Sequence, residues 1–212
     1  MNIGVLGGTF DPIHSGHLVI AEKARLKLRL ARVLFVPAGQ PWFKTARKIT
    51  PAAHRVEMVK LAIAANPHFE LSAIEIDRPG PSLSVETVAI LQQQLGAGAK
   101  LFFLVGWDSL AELPQWKEPD RLIQLCKLVA VTRPGFSRPD LKAMESLVPG
   151  VTQRVVWLDI PPVDISSTDI RNRVARGLSI HGLVPEGVEG YIKEHKLYGD
   201  GNKILLAKYP GS

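Results

Sequence analysis

Cysteine and long hydrophobic runs are both scarce in this sequence. Cys126 is the only cysteine among 212 residues, so no disulfide can form within the chain, and we expect a reducing, cytoplasmic location. Its apolar neighbours Leu125, Leu128 and Val129 indicate a buried structural thiol rather than a nucleophile. No apolar run has the length that spans a membrane, and no signal peptide precedes the first predicted strand. We therefore expect no membrane association.

Blocks of one charge are also missing. The chain carries 26 Lys and Arg against 20 Asp and Glu, a net charge of +6, and its basic residues are dispersed. This pattern favours a small phosphate-rich ligand over nucleic acid. The length allows one sizeable core, and we predict a single domain over residues 1–198. The tail over residues 199–212 begins polar and glycine-rich and is expected to be mobile. The oligomeric state is open, a homo-oligomer included.

The two common phosphate-binding fingerprints, G-x-G-x-x-G and G-x-x-x-x-G-K-[ST], are absent as well. In their place, Gly7–His17 (the histidine turn, GGTFDPIHSGH) lies between a predicted strand, Met1–Leu6, and a predicted helix, Leu18–Leu30. Small residues let backbone N–H groups approach a phosphate, and the helix start favours its charge. His14 and His17 can donate hydrogen bonds to phosphoryl oxygens and become cationic as charge develops. The alternative is a glycine turn with two solvated histidines.

Predicted strands and helices alternate along the chain. Further strands are predicted over residues 31–36, 69–76, 100–105, 127–132 and 153–158, and one of the helices over residues 139–147. Three helix caps are predicted at Thr50, at Ser82 or Ser84, and at Ser167 or Thr168. This alternation predicts an α/β fold, a doubly wound parallel sheet with helices on both faces. Ligands bind beyond the carboxyl ends of the strands in such sheets.

A second candidate phosphate site follows the last predicted strand. Ile165–Arg171 (ISSTDIR) is a hydroxyl-rich helix start with an arginine in its first turn. Free N–H groups, hydroxyls and a forked guanidinium suit the outer phosphates of a nucleotide. Taken alone, an ordinary capped helix with an exposed arginine is the simpler interpretation. Together with the histidine turn, the segment favours phosphate binding.

The histidine turn matches the pattern G-G-[ST]-F-D-P-[IV]-H-x-G-H, and Ile165–Arg171 matches I-S-S-T-x-I-R. Over residues 1–198 the chain therefore resembles the nicotinate mononucleotide adenylyltransferases of the H-x-G-H nucleotidyltransferase superfamily. The resemblance implies a Rossmann-like fold and adenylyl transfer from ATP, carried with Mg²⁺, to nicotinate mononucleotide in NAD biosynthesis. It implies catalytic roles for His14, His17, Lys44 and Arg171, and no protein ligands for a metal. It implies ATP contacts from Gly7, Gly8, Thr9, Phe10, Gly16, Gly106, Asp108, Ser166, Ser167 and Thr168.

Two of these assignments rest on short segments. Gly106-Trp107-Asp108 resembles the family's G-x-D, whose aspartate would accept bonds from ribose hydroxyls, although an ordinary helix cap is the alternative. Lys44 lies in a loop that resembles P-x-x-x-P-x-x-K. The family often has a histidine before that lysine, and this chain has Phe43. The phosphate role of Lys44 therefore depends mainly on the resemblance.

The acceptor segment matches less completely. Pro81–Thr87 resembles P-S-Y-T-x-D-T but departs from it at Leu83, Ser84 and Glu86. The resemblance implies mononucleotide contacts from Leu83, Ser84, Val85 and Thr87, with backbone N–H groups binding the pyridine carboxylate. It also implies that Trp116 stacks on the pyridine ring. The other tryptophans, Trp42, Trp107 and Trp157, are interpreted as packing residues.

Other functions stay open at this point. A sister adenylyltransferase acting on nicotinamide mononucleotide or phosphopantetheine, or a cytidylyltransferase, would share the two phosphate motifs. A nucleotide-binding module without turnover is a different class, which the two intact motifs disfavour. Class I tRNA synthetases share the H-x-G-H idea, but 212 residues leave no room for a tRNA-binding domain.

Overall fold

The computed structural model describes residues 1–41, 49–161 and 163–199. They contain a six-stranded, all-parallel sheet in the order β3-β2-β1-β4-β5-β6. The strands are β1 (Asn2–Gly8), β2 (Arg32–Pro37), β3 (Phe69–Leu71), β4 (Lys100–Gly106), β5 (Cys126–Val131) and β6 (Val155–Leu158). The strand order reverses between β1 and β4, so their carboxyl ends form the crevice in which such folds bind ligands. The predicted doubly wound α/β class is confirmed.

Helices cover both faces of the sheet. They are α1 (Ser15–Leu28), α2 (Ala52–Ile63), α3 (Ile74–Asp77), α4 (Ser84–Leu95), α5 (Trp107–Ala111), α6 (Pro119–Leu125), α7 (Leu141–Met144), α8 (Val151–Arg154), α9 (Ser167–Ala175) and α10 (Glu186–Glu194), with a 3₁₀ turn at Leu113–Gln115. No helix of the described ranges is both long and apolar enough to cross a membrane.

Alternate residues of the central strands feed two separate cores. Phe102 and Leu104 of β4 pack with α1, α2, α9 and α10, whereas Phe103 and Val105 pack with α4 to α8. Both faces of a parallel strand are buried in this arrangement, which explains the nearly continuous apolar runs in the sequence. Cys126 lies in the second core, where burial raises its thiol pKa to about 12. The prediction of an inert structural thiol is confirmed.

The predicted third strand was too long. It stops at Leu71, and residues 74–77 form α3. In the observed register Leu71 pairs with Phe35, so Ser72 would come opposite Val36 and Ala73 opposite Pro37, which has no N–H to donate. The predicted helix at 139–147 is also shorter, because only Leu141–Met144 forms it.

Three predicted helix caps are wrong by one or two positions. Pro51, Leu83 and Ser166 occupy the cap positions of α2, α4 and α9. Thr50 instead accepts a hydrogen bond on its carbonyl, and Ser82 accepts two from a neighbouring loop. At Ser82, a tertiary contact uses the hydroxyl that local sequence assigned to the helix cap.

Candidate active site

A cavity of about 660 Å³ opens at the carboxyl ends of β1, β4 and β5. It brings together many of the sequence-predicted residues: Gly7, Gly8, Thr9, Phe10, His14, Gly16, His17, Leu83, Ser84, Gly106, Trp116, Ser166, Ser167, Thr168 and Arg171. Of the remaining predicted residues, Val85, Thr87 and Asp108 do not line it. Lys44 and the packing candidate Trp42 lie outside the described residues, as do residues 200–212 of the predicted tail.

The two histidines of the histidine turn are held against each other. Their rings stack with centroids 3.7 Å apart. The backbone N–H of His14 donates a hydrogen bond to Nδ1 of the His17 ring at 3.2 Å. Phe10 packs edge-on against His17 at 5.0 Å. A side chain at Gly16 would place its Cβ 3.0 Å from His14 Nδ1, so glycine is what allows this approach. Backbone and ring contacts together fix both imidazoles before any ligand arrives.

His14 is neutral at physiological pH. Its pKa is lowered from 6.5 to about 4, first by burial and then by the positive charge of Arg133. The side chain is 7% exposed, and its buried Nδ1 has no hydrogen-bond partner within the described residues. A buried polar atom of this kind normally has a partner. A phosphoryl oxygen in the cavity can accept a hydrogen bond from this ring.

The start of α9 is bonded directly to the histidine turn. Ser166 caps the helix by accepting a hydrogen bond from the Asp169 N–H. The Ser167 hydroxyl donates to the Pro12 carbonyl at 2.9 Å, and Arg171 Nη1 donates to the Asp11 carbonyl at 2.6 Å. The two motifs predicted separately thus form one structure. The guanidinium has five N–H donors, so Arg171 keeps others for a ligand.

A buried polar cluster behind the turn escaped the sequence analysis. Arg55 on α2 donates to the Thr9 carbonyl at 2.8 Å, and the Tyr198 hydroxyl donates to the Asp11 carboxylate at 2.7 Å. Asp11 and Arg55 are each 2% exposed. The available signal was a charged residue on the apolar face of α2, beside Met58 and Val59 in the same core-facing helix.

Arg133 is a further residue that the sequence analysis missed. It lies two residues after the end of β5, lines the cavity and forms an ion pair with Asp108 at 3.2 Å. Asp108 itself is outside the cavity lining, and its buried Oδ1 has no hydrogen-bond partner among the described residues. The available signal was position, because Arg133 starts the loop that leaves a central strand at the ligand-binding edge.

The acceptor segment meets the cavity through fewer residues than predicted. Leu83 and Ser84 line it, whereas the side chains of Val85 and Thr87 are buried. The Thr87 hydroxyl donates to Glu75 Oε1 at 2.7 Å. Thr87 therefore holds the first turn of α4 against α3. At the helix start, the cap residue Leu83 offers no side-chain acceptor, so the first N–H groups of α4 stay open to a ligand.

The described tryptophans differ in their position relative to the cavity. Trp116 lines the cavity and rests edge-on against Phe103, with ring centroids 6.3 Å apart. Trp107 and Trp157 pack against each other at 6.2 Å outside the cavity lining. Trp116 is thus the one of these three whose ring is presented to a ligand.

The model of one protein family, described as "Cytidylyltransferase-like", matches residues 5–173. The chain belongs to this family. The match contains both the histidine turn and the start of α9, so the two segments that meet across the cavity are part of the cytidylyltransferase-like domain.

Relatives within the cytidylyltransferase-like family cover nearly the whole chain. A protein of Dehalococcoides mccartyi is 45% identical over 198 residues, 93% of this chain and 97% of its own length. One of Roseiflexus sp. is 47% identical over 196 residues, 92% of this chain and 97% of its own. Both are named "Probable nicotinate-nucleotide adenylyltransferase".

Solved structures show the same fold. Nicotinic acid mononucleotide adenylyltransferase of Plasmodium falciparum, complexed with APC, has a TM-score of 0.74 at 19% identity and covers 93% of this chain and 96% of its own. The same enzyme complexed with NaAD has a TM-score of 0.73 at 20% identity, covering 93% and 97%. The Rossmann-like architecture of the cytidylyltransferase-like family therefore extends over almost all of this chain.

The cavity lining contains many hydrogen-bond donors. Across residues 1–41, 49–161 and 163–199, no group of three or more His, Cys, Asp or Glu side chains is placed to hold a metal ion. Besides the carboxylates of Asp11, Glu75 and Asp164, the lining supplies hydrogen-bond donors from His14, His17, Lys117, Arg133 and Arg171. Such a donor set suits phosphate and carboxylate groups.

Proposed function

We propose that this protein transfers the adenylyl group of ATP to nicotinate mononucleotide, giving deamido-NAD and pyrophosphate. The observation that carries the proposal is the single cavity in which the histidine turn and the start of α9 face the open start of α4. Relatives that are 45% and 47% identical over more than nine-tenths of the chain carry the name of this activity. NAD biosynthesis is the process that this reaction serves.

The acceptor supplies the nucleophile. A 5′-phosphate is mostly dianionic near neutral pH because its second pKa is about 6. One of its oxygens forms a bond to the α-phosphorus of ATP while the bond to the bridging oxygen breaks, and pyrophosphate leaves with that electron pair. No side chain has to remove a proton or form a covalent intermediate. Catalysis then consists of positioning and charge stabilisation.

His14 and His17 would stabilise the phosphoryl group in transfer. Both line the cavity, and an imidazole ring can donate a hydrogen bond to a phosphoryl oxygen. Negative charge on that oxygen raises the pKa of a nearby imidazole. The neutral His14 of the free protein can therefore gain positive character as the transition state forms.

The leaving pyrophosphate would be held by Arg171 and by the N–H groups and hydroxyls at the start of α9. Lys44 is proposed for the same task from the family pattern. We treat Mg²⁺ as part of the ATP substrate, neutralising its outer phosphates. Asp108 is proposed from the family pattern to accept bonds from the ribose.

The start of α4 would select the acid over the amide. The Ser84 and Val85 N–H groups belong to the first turn of the helix, where donors have no acceptor within the helix. A carboxylate accepts only and receives charge-assisted bonds there. The NH₂ group of an amide would meet donors, and the positive helix end would lose its anion. We expect kcat/KM to favour nicotinate over nicotinamide mononucleotide by ~10²-fold.

Pyrophosphate release tests the proposal directly. ATP and CTP would each be offered with nicotinate mononucleotide, nicotinamide mononucleotide and phosphopantetheine. The proposal expects the fastest release from ATP with nicotinate mononucleotide. Preference for another acceptor or for CTP would replace it with a sister enzyme. Nucleotide binding without release from any pair would indicate a module without turnover. Similar kcat/KM values for nicotinate and nicotinamide mononucleotide would contradict the selection of the acid but would leave the proposed adenylyl transfer intact.

A further inference from the structure

A buried polar cluster supports the histidine turn from outside the cavity. Its members are Asp11 within the turn, Arg55 on α2 and Tyr198 after α10. Of the three, only Asp11 lines the cavity. Arg55 and Tyr198 are not among the residues that line the cavity, so we expect any effect they have on the chemistry to pass through the turn.

Arg55 is fixed by two backbone carbonyls. Its Nη1 donates to Thr9 at 2.8 Å, and its Nε donates to Thr50 at 2.9 Å. At 2% exposure this cation needs compensation, which the neighbouring Asp11 charge supplies. A guanidinium held on both sides in this way sets the position of the Thr9 carbonyl. Thr9 in turn sits at the entrance of the histidine turn.

Tyr198 connects the C-terminal segment to the same turn. Its hydroxyl donates to Asp11 Oδ1 at 2.7 Å, across a separation of 187 residues. Two non-glycine residues leading to this contact, Lys196 and Tyr198, adopt left-handed backbone with φ of 50° and 63°. Such conformations are unfavourable for residues with side chains and persist where surrounding structure requires them. The chain thus bends in an unfavourable way to bring this hydroxyl to Asp11.

We propose that Arg55 and Tyr198 are positioning residues of the histidine turn and that the C-terminal segment controls the turn through Tyr198. The turn would then be clamped from two directions. Arg171 and Ser167 hold the carbonyls of Asp11 and Pro12, and this cluster holds the Asp11 carboxylate and the Thr9 carbonyl. The effect on catalysis rests on the proposed function, whereas the effect on the turn itself does not.

Tyr191 provides a matched control. Its hydroxyl lies 2.9 Å from His54 Nδ1, so it also joins the C-terminal part of the chain to α2. Within the described residues, no hydrogen bond joins Tyr191 to the histidine turn. Tyr198→Phe and Tyr191→Phe each remove one oxygen atom from an equivalent connection. A purely structural role predicts similar effects from both.

The test compares the two variants by steady-state kinetics, melting temperature and hydrogen–deuterium exchange. We expect Tyr198→Phe to lower kcat about tenfold with both KM values within about twofold, less than the ~10²-fold that a misplacement of about 1 Å can cost. Hydrogen–deuterium exchange in peptides containing residues 9–17 should be faster in Tyr198→Phe than in the wild type, and unchanged in Tyr191→Phe. Tyr191→Phe should keep kcat within about twofold, with a similar change in melting temperature. Arg55→Lys, which keeps the charge but loses the fork, should resemble Tyr198→Phe.

Equal kcat and equal turn exchange in the two tyrosine variants would overturn the proposal. If the wild-type protein released no pyrophosphate, the proposed function would fail, but the exchange comparison would still decide this inference. Faster exchange of the turn in Tyr198→Phe and Arg55→Lys, with Tyr191→Phe unchanged, would then support it. If Arg55→Lys did not fold, the tyrosine pair would decide alone.

Discussion

On the phosphate side of the cavity, Gly7–His17 and Ser166–Arg171 are joined to each other by hydrogen bonds. Arg55 and Tyr198 bond the first of these segments from behind. On the acceptor side, Glu75 accepts a hydrogen bond from Thr87 and Phe103 packs against Trp116, but no side chain caps the start of α4. One side has its donors fixed in place, and the other leaves donors for a ligand to satisfy.

This difference matches the two tasks that the reaction sets. Charge stabilisation depends on donors that are oriented before the reaction, because reorganisation would cancel part of their effect. Selection of an acceptor depends on donors that are satisfied by one ligand and not by another. We therefore expect variants on the phosphate side to lower kcat, and variants on the acceptor side to raise the KM of the mononucleotide.

The largest effect should come from His17. His17→Ala removes an imidazole that stacks on His14 and accepts a backbone hydrogen bond in the turn. We expect kcat to fall by ~10²–10³-fold, about 2.7–4 kcal/mol, with a much smaller change in ATP affinity. Single-turnover pyrophosphate release and calorimetric ATP binding measure the two quantities. His68→Ala, at an exposed position outside the cavity lining, is the control. Near-normal kcat in folded His17→Ala would remove the catalytic role of the turn.

The second prediction for the phosphate side is that His14 makes the free energy of unfolding depend on pH. Its pKa is about 4 in the folded protein against 6.5 for the ordinary side chain, because burial and Arg133 disfavour its charged form. Between these values the unfolded chain binds a proton that the folded chain does not, so stability falls as pH falls from 6.5 towards 4. The loss should reach roughly 3 kcal/mol.

Urea unfolding of the wild type and His14→Gln between pH 7.5 and pH 4 isolates this effect. The difference between the two proteins at pH 7.5 is the reference, and the other titrating groups are common to both. We expect the wild type to lose more stability on acidification than His14→Gln. Parallel pH profiles would contradict a His14 that is buried and neutral.

The sequence predicted features that are local in the chain. The alternation of apolar strands and helices predicted the parallel sheet that the structure contains. The two motifs contain His14, His17 and Arg171, which line one cavity. Their chemical roles stay predictions. The predicted element boundaries were wrong where contacts with residues distant in the sequence determine the local structure. Residues 72–76 have strand-like alternation, but β3 ends at Leu71, two residues before the register would bring Ala73 opposite Pro37.

Contacts between distant segments had no local signal. Arg55 bonds Thr9 across 46 residues, and Tyr198 bonds Asp11 across 187. Propensity and periodicity describe neighbours within a few turns, so neither could reveal these partners. Thr87 shows the same limit in the acceptor segment. Its place in a motif suggested ligand contact, whereas tertiary packing buries it completely against Glu75.

Trp116 tests the acceptor side. Removing its ring should raise the KM of the mononucleotide by about 2 kcal/mol, roughly 30-fold, if it stacks on the pyridine as aromatic side chains stack on bases. The KM of ATP should change much less. Trp157→Ala is the matched control, since Trp157 packs against Trp107 outside the cavity lining. An equal rise in both KM values for Trp116→Ala would indicate a packing role and would remove the contrast between the two sides.

The smallest effect is expected from a change that keeps the charge. Arg171 donates through Nη1 to the Asp11 carbonyl and through Nη2 to the Thr168 hydroxyl, so its fork both joins the two phosphate motifs and faces the cavity. Lysine keeps the positive charge but cannot reproduce the fork. Arg171→Lys should weaken ATP binding about tenfold, about 1.4 kcal/mol, by calorimetry.

Arg173→Lys is the control for the loss of an arginine from this helix. Arg173 lies two residues along α9, and its Nε donates to the Ser179 carbonyl. Because Arg171 also braces the turn, kcat should fall together with ATP affinity. Unchanged ATP affinity in both Arg171→Lys and Arg171→Ala would mean that this helix start does not bind the triphosphate.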